Sequence, residues 1–180
     1  MMTPALVALP DTLVITYLHM TEREQFRPAY LPPSPDVVIM QAVAPDMDYY
    51  RFIYKAVGYA LRWRDRLIMP DEELSGALHS PDTSVHVLFV RGVPAGYVEL
   101  AKQGSDTEVA YFGLRPQYQG QGLGKHLLSY GIQRAWDDGA ARVWVHTCNM
   151  DGEHALENYL KRGFVVYDVQ EEPMPERYRV

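Results

Sequence analysis

A chain of 180 residues, 47% hydrophobic and 22% charged, has the size and composition of one globular domain. Wholesale disorder, collagen-like repeats and a long coiled coil are excluded, and the single cysteine, Cys148, excludes a disulfide framework or a multi-thiolate zinc site. The net charge of −6 argues against a broad electrostatic grip on nucleic acid or anionic lipid.

No apolar run approaches the roughly 18 residues of a membrane-spanning helix, so no membrane partner is expected. The first twenty residues lack a basic segment, and Pro4, Pro10 and Asp11 interrupt their apolar stretch. That pattern argues against a signal peptide and predicts a cytoplasmic protein.

The first predicted strand is Thr12–Leu18, β-branched and apolar. Pro28, Pro32, Pro33 and Pro35 then remove backbone donors, so this stretch reads as a surface connector rather than a lid. Val37–Val43 is a weaker strand candidate. From Met47 to Leu61, Met47, Tyr50, Ile53, Tyr54, Val57 and Leu61 recur at helical spacing behind a cap at Asp46. A second short helix starts at Pro70, with acidic residues suited to its first turn.

The second half reads more clearly. Ser84–Val90 and Ala95–Lys102 form a hairpin across Arg91-Gly-Val-Pro, and Glu108–Leu114 continues the meander. Leu123–Asp137 is a helix with Gly124, Leu127, Leu128, Gly131 and Ala135 on one face and Gly139 as its stop. Arg142–Cys148 is a strand, Glu153–Arg162 a helix ended by Gly163, and Phe164–Val169 a final strand. A meander followed by strand, helix, strand, helix, strand indicates an α+β domain with a mixed sheet.

The chemistry lies in Arg115-Pro-Gln-Tyr-Gln-Gly-Gln-Gly-Leu-Gly-Lys125, between a strand and a helix. Gly120, Gly122 and Gly124 let the backbone approach a ligand closely, and the unpaired N–H groups of the following helix favour a phosphate. A dinucleotide fingerprint from Gly120 would need glycine at 125, where Lys125 stands. A Walker A loop would need glycine at 119 and Ser or Thr at 126, where Gln119 and His126 stand. Both readings fail.

What remains is Gln119-x-x-Gly122-x-Gly124, which resembles the (R/Q)-x-x-G-x-(G/A) signature of the GNAT superfamily of acyl-CoA-dependent N-acyltransferases. Leu114-Arg115-Pro116 is similar to the step that precedes that signature, and Ala155 to Phe164 resembles the superfamily's A-x-x-x-Y-x-x-x-G-F segment. The resemblance covers about Ser84 to Val169. It implies one GNAT-like domain over 1–180, with acetyl-CoA bound by 84–169 and the acceptor by the variable 1–83. The implied sheet is mostly antiparallel, flanked by helices, with a splayed parallel pair formed by Tyr111–Leu114 and Arg142–Cys148.

The same resemblance implies that the pantetheine arm bonds the strand backbone at Phe112, Gly113 and Leu114. The pyrophosphate would rest on Gln119, Gly120, Gln121, Gly122, Leu123, Gly124 and Lys125; Lys125 either adds charge there or stays solvated. Tyr159 matches the family's general acid. Glu108 matches its base, with Glu99 on the adjacent strand as the second candidate, since an ammonium with pKa near 10 must lose a proton. By strand alternation, Glu108 and Ala110 should face one way and Val109 and Tyr111 the other. Many relatives carry an asparagine seven residues before the tyrosine; here Gly152 stands there, and Asn149 is the nearest substitute.

His146 and Cys148 share a strand face, but a small packed cysteine beside a polar neighbour is the commoner arrangement. His79, His86 and His154 lack ligand spacing, so no metal is expected. Aromatics and arginines between Arg51 and Tyr59, with Trp63-Arg-Asp-Arg66, could line an acceptor pocket, or form core beneath a solvated basic face. The expected activity is transfer of an acetyl group to a small-molecule or peptide amine in a ternary complex. The alternative is a non-catalytic CoA-binding regulatory module. A homodimer would suit the family.

Overall fold

The fold, taken from a computed structural model, describes residues 5–179. Pro4 and the two ends of the expected 1–180 domain lie outside the described residues. Among the described residues, seven strands form one sheet: β1 (Thr12–Met20), β2 (Val37–Ala42), β3 (Thr83–Val90), β4 (Val93–Gln103), β5 (Asp106–Leu114), β6 (Arg142–Cys148) and β7 (Val165–Pro173). Their order is β2-β3-β4-β5-β6-β1-β7, and every neighbouring pair is antiparallel except β5–β6. This is the expected mixed α+β architecture.

The helices are α1 (Met47–Gly58), α2 (Asp65–Ile68), α3 (Asp71–Leu78), α4 (Leu123–Asp137) and α5 (Ala155–Lys161). Asp46 caps α1 by accepting from the Tyr49 N–H at 2.8 Å. The helical spacing runs on to Leu61, but α1 ends at Gly58 and continues as a tight turn over Tyr59–Leu61. The Trp63 N–H closes that turn on the Gly58 carbonyl at 3.0 Å. At four residues, α2 is too short to show a period in the sequence.

Two cores sandwich the sheet. On one face, Leu127, Leu128, Ile132 and Ala135 of α4 pack on Val98, Leu100, Val109, Val143 and Val145. On the other, Tyr50, Ile53, Tyr54 and Val57 of α1 pack with Leu74 and Leu78 on Val85, Val87 and Tyr97. The proline stretch lies against α4: the Ala29 N–H donates to Ser129 Oγ at 2.9 Å and the Leu31 N–H to His126 Nδ1 at 3.1 Å. It is therefore a pinned connector. Burial lowers the His126 pKa, which keeps that ring nitrogen an acceptor. No helix among the described residues is long and apolar enough to cross a membrane.

Gly163 ends α5 at φ +105°, and a Cβ there would run into the Gln25 carbonyl oxygen. Backbone cannot move aside cheaply, since the Arg27 N–H bonds the Arg162 carbonyl at 2.9 Å. Gly163→Ala should therefore destabilise the fold by at least about 2 kcal/mol. Denaturant unfolding monitored by circular dichroism checks this; an unchanged midpoint would contradict it.

Candidate active site

The strands β5 and β6 pair over only three rungs, Asp106 with Arg142, Thr107 with Val143 and Glu108 with Trp144. Past Glu108 they diverge, and a cleft of about 850 Å³ opens between their C-terminal halves. One wall is β5 from Val109 to Leu114, and the other is β6 at His146 and Cys148. A sheet cut open in this way leaves backbone donors and acceptors without strand partners, a place an amide-rich ligand can fill.

A bulge sharpens the geometry. Glu99 of β4 faces Tyr111, while the next residue, Leu100, faces Val109, so Ala110 is the extra residue on β5. Val109 turns into the α4-side core and Tyr111 into the α1 side. The simple alternation that puts Val109 and Tyr111 on one face is thereby corrected. Two residues against one on the partner strand reverse the facing of everything beyond the bulge. Tyr54 and Trp63 meet Tyr111 at ring separations of 5.2 and 5.5 Å, which gives the cleft an aromatic flank.

At the far end stands the glycine loop. Gly120 and Gly122 have φ of +75° and +77°, and Gly122 is the N-cap of α4 with no side-chain hydrogen bond to its first turn. The first N–H groups of α4 thus lack a side-chain cap, and the positive end of the helix dipole stands behind them. Gln119, Gly120, Gly122, Gly124 and Lys125 line the cleft together with Phe112, Gly113 and Leu114. Gln121 and Leu123 do not: Gln121 donates back to the Gln117 carbonyl, and Leu123 is buried in the core.

A sequence profile described as the Acetyltransferase (GNAT) family matches residues 44–164, more than half the chain. The chain belongs to the GNAT acetyltransferase family. A comparison with curated sequences gives no match. The GNAT fold is shared with a GCN5-related N-acetyltransferase from Kribbella flavida at TM-score 0.63 and 20% identity, over 90% of this chain and 58% of that one. A PaiA N-acetyltransferase from Thermoplasma acidophilum, in complex with coenzyme A, matches at TM-score 0.60 and 17% identity, over 76% of this chain and 98% of that one. An aminoglycoside acetyltransferase from an uncultured soil metagenomic sample, in complex with trehalose, matches at 0.59 and 18%, over 71% and 87%. The chain spans 52 to 61% of the length of the larger relatives, among them, at 60%, a functionally unknown conserved protein from Staphylococcus epidermidis.

Within this GNAT cleft, Tyr159 of α5 lies on the wall, packed edge-on to Phe112 and Phe164 at 6.1 and 5.9 Å. Burial, with the charge of Asp151, pushes its hydroxyl pKa far above the ordinary phenol value, so it keeps its proton. Asp151 holds the turn after β6: its Oδ2 accepts from the Thr147 hydroxyl at 2.6 Å and the Cys148 N–H at 3.1 Å. Burial raises the Cys148 thiol to about 11, so it is no nucleophile at neutral pH.

The two glutamates part company. Glu99 is 0% exposed, paired with Arg66 at 2.6 Å and hydrogen-bonded by the Tyr50 hydroxyl. It lies behind Tyr111 rather than on the cleft wall. Sealed from the cleft, its carboxylate holds α2 to the sheet. Glu108 stands at the last rung of the parallel ladder, with its side chain 12% exposed. Asn149 is not on the cleft wall: its amide accepts from the Val14 N–H at 3.1 Å and donates to the Thr12 carbonyl at 3.0 Å.

Of the aromatic and arginine cluster, two aromatics reach the cleft, while Arg51 and Arg66 are engaged elsewhere. Tyr54 and Trp63 line it, whereas Arg51 binds Asp71 and the Met69 carbonyl, and Arg66 binds Glu99. Sequence reasoning missed Asn158 and Asp151 as wall residues. Asn158 directly precedes the matched tyrosine, but no spacing rule singles it out.

Proposed function

We propose that this chain is an N-acetyltransferase that moves the acetyl group of acetyl-CoA to an amine by direct attack in a ternary complex. The observation that carries the reading is the single cleft joining the uncapped glycine loop at α4, the split β5–β6 pair and the Tyr159 side chain. A pyrophosphate suits the loop N–H groups, an amide-bearing arm suits the backbone of Phe112 to Leu114, and the thioester then lies near Ala110 and Tyr111. The coenzyme A seen in the PaiA relative supports the same choice of donor.

The acceptor end is lined by Trp63 and Tyr54, an aromatic wall that suits a cationic amine. The aminoglycoside acetyltransferase relative acts on one such class. Tyr159, on the cleft wall, gives a proton to the departing thiolate. That transfer runs uphill, because its pKa lies above a thiol's, so its share of the rate is modest.

Calorimetric titration with acetyl-CoA, followed by thiol-release assays across an amine panel, tests the reading. Micromolar binding with amine-dependent thiol release is expected. Tyr159→Phe should lower kcat by about tenfold to a hundredfold, at or below the usual range for general acids, with acetyl-CoA affinity kept within about threefold. Binding without turnover by any amine would leave a CoA-binding regulatory module. Absence of binding would refute both readings.

A further inference from the structure

We infer that His146, backed by Glu108, is the group that takes the proton from the acceptor amine; this rests on the acetyltransfer reading above. The starting point is where the sheet opens. Glu108 and Trp144 form the last rung of the parallel ladder, and His146 is two residues farther along β6, on the same face as Trp144. That places an imidazole at the apex of the split, on the β6 wall of the cleft whose β5 wall carries Ala110 and Tyr111.

Exposure separates the two partners. The His146 side chain is 46% exposed and lines the cleft, whereas Glu108 is 12% exposed and does not. Both Glu108 oxygens are engaged: Oε2 accepts from Gln103 Nε2 at 2.8 Å, and Oε1 lies 3.3 Å from His146 Nδ1. No described residue hydrogen-bonds His146 Nε2, so that nitrogen is left to accept a proton. The ring is held in place by Tyr17 and Trp144, whose centroids lie 5.8 and 6.1 Å away.

The surrounding charges favour the protonated imidazole. Glu108 approaches from β5, Asp65 from α2 and Asp151 from the turn after β6, while the Tyr17 phenol on β1, its pKa raised by burial, packs beside the ring uncharged. Contact with Glu108 outweighs burial and raises the His146 pKa above its ordinary value. The rival bases near the apex are committed. Glu99 is sealed with Arg66, Asp65 pairs with Arg177 at 3.1 Å, and Asp151 holds Thr147 and the Cys148 N–H.

The step balances as follows. The acceptor arrives as an ammonium and gives one proton to His146 Nε2. The freed nitrogen lone pair forms the C–N bond to the thioester carbonyl carbon. The C–S bond then breaks with its electron pair on sulfur, and the thiolate takes the second nitrogen proton by way of Tyr159 or water. The imidazolium, stabilised by Glu108, returns its proton to solvent. His146 touches the substrate; Glu108 is a positioning residue.

The test compares His146→Gln and Glu108→Gln in the full chain. Acetyl-CoA affinity by calorimetry should stay within about threefold of wild type in both, which separates this inference from the donor-binding reading. For wild type, kcat/KM for thiol release should rise with pH through one ionisation, matched by the His146 imidazole titration in NMR spectra. In Glu108→Gln both values should move together to lower pH. In His146→Gln the rising limb should vanish and kcat/KM should fall about 100-fold or more. A limb that survives in His146→Gln, or one that fails to track the imidazole titration in Glu108→Gln, would overturn the inference. Intact acetyl-CoA binding with no thiol release in wild type would overturn it together with the enzymatic reading.

Discussion

Gly122→Glu is expected to weaken acetyl-CoA binding by at least about 100-fold while leaving the protein folded. The residue is the N-cap of α4 at φ +77°, a conformation that side chains rarely adopt. An added Cβ would stand 3.2 Å from Leu31 Cδ2 and 3.3 Å from Lys125 Cε, both ends of flexible side chains that can yield. The fold should therefore absorb the change. The new carboxylate, however, would occupy the loop at the positive end of the helix and repel a pyrophosphate. A loss of two orders of magnitude corresponds to roughly 2.7 kcal/mol, within reach of a few charge-assisted hydrogen bonds. Calorimetry beside circular dichroism decides the matter: undiminished affinity in a well-folded variant would move the pyrophosphate off this loop.

Arg66→Met should be the most destabilising of the substitutions considered, at about 3–5 kcal/mol near neutral pH, the usual effect of stripping a buried charge of its partner. Glu99 is fully enclosed and would keep only the Tyr50 hydroxyl. The space itself suits Met, since the Arg66 guanidinium lies over Tyr111 and Tyr50, with centroids 5.3 and 6.0 Å away. Adding Glu99→Leu to Arg66→Met should restore most of the loss, because an apolar pair of similar volume often replaces a buried ion pair without penalty.

The pH dependence of the single variant carries a definite sign. Burial already raises the Glu99 pKa, with Arg66 and Tyr50 pulling it down. Without Arg66 the folded state holds the Glu99 proton to a higher pH than the unfolded chain, which releases it near 4.5. Unfolding then releases a proton, so stability falls as pH rises from 4.5 through the folded-state pKa. Thermal melts of the variant should show a deficit on the order of 10 °C near pH 7 that narrows toward pH 5. A deficit independent of pH would mean that lost packing, not the stranded charge, is responsible.

Much of the second half of the chain was legible because its signals are local. The Gln119 to Lys125 loop, the helix behind it and the Ala155 to Phe164 segment each sit within about ten residues of chain, and their glycines answer to backbone geometry alone. The two candidate glutamates were not separable by the same means. Glu99 and Glu108 lie on adjacent strands at comparable positions. Only the packing of α1 and α2 over β4 seals Glu99 with Arg66 and leaves Glu108 beside the opening. The place of Asn149 was hidden for a similar reason: its amide serves the backbone of β1, 135 residues away in sequence.

By itself the sequence determined the alternation of strands and helices, the glycine loop at the start of α4 and the family. All of these depend on spacing along the chain and on which backbone angles each residue permits. The tertiary structure alone decided where the parallel ladder stops, how the bulge at Ala110 turns Tyr111 away from Val109, and that His146 meets Glu108 at the apex of the split. These depend on register between strands distant in sequence and on which charges share a desolvated space, and no local pattern encodes either.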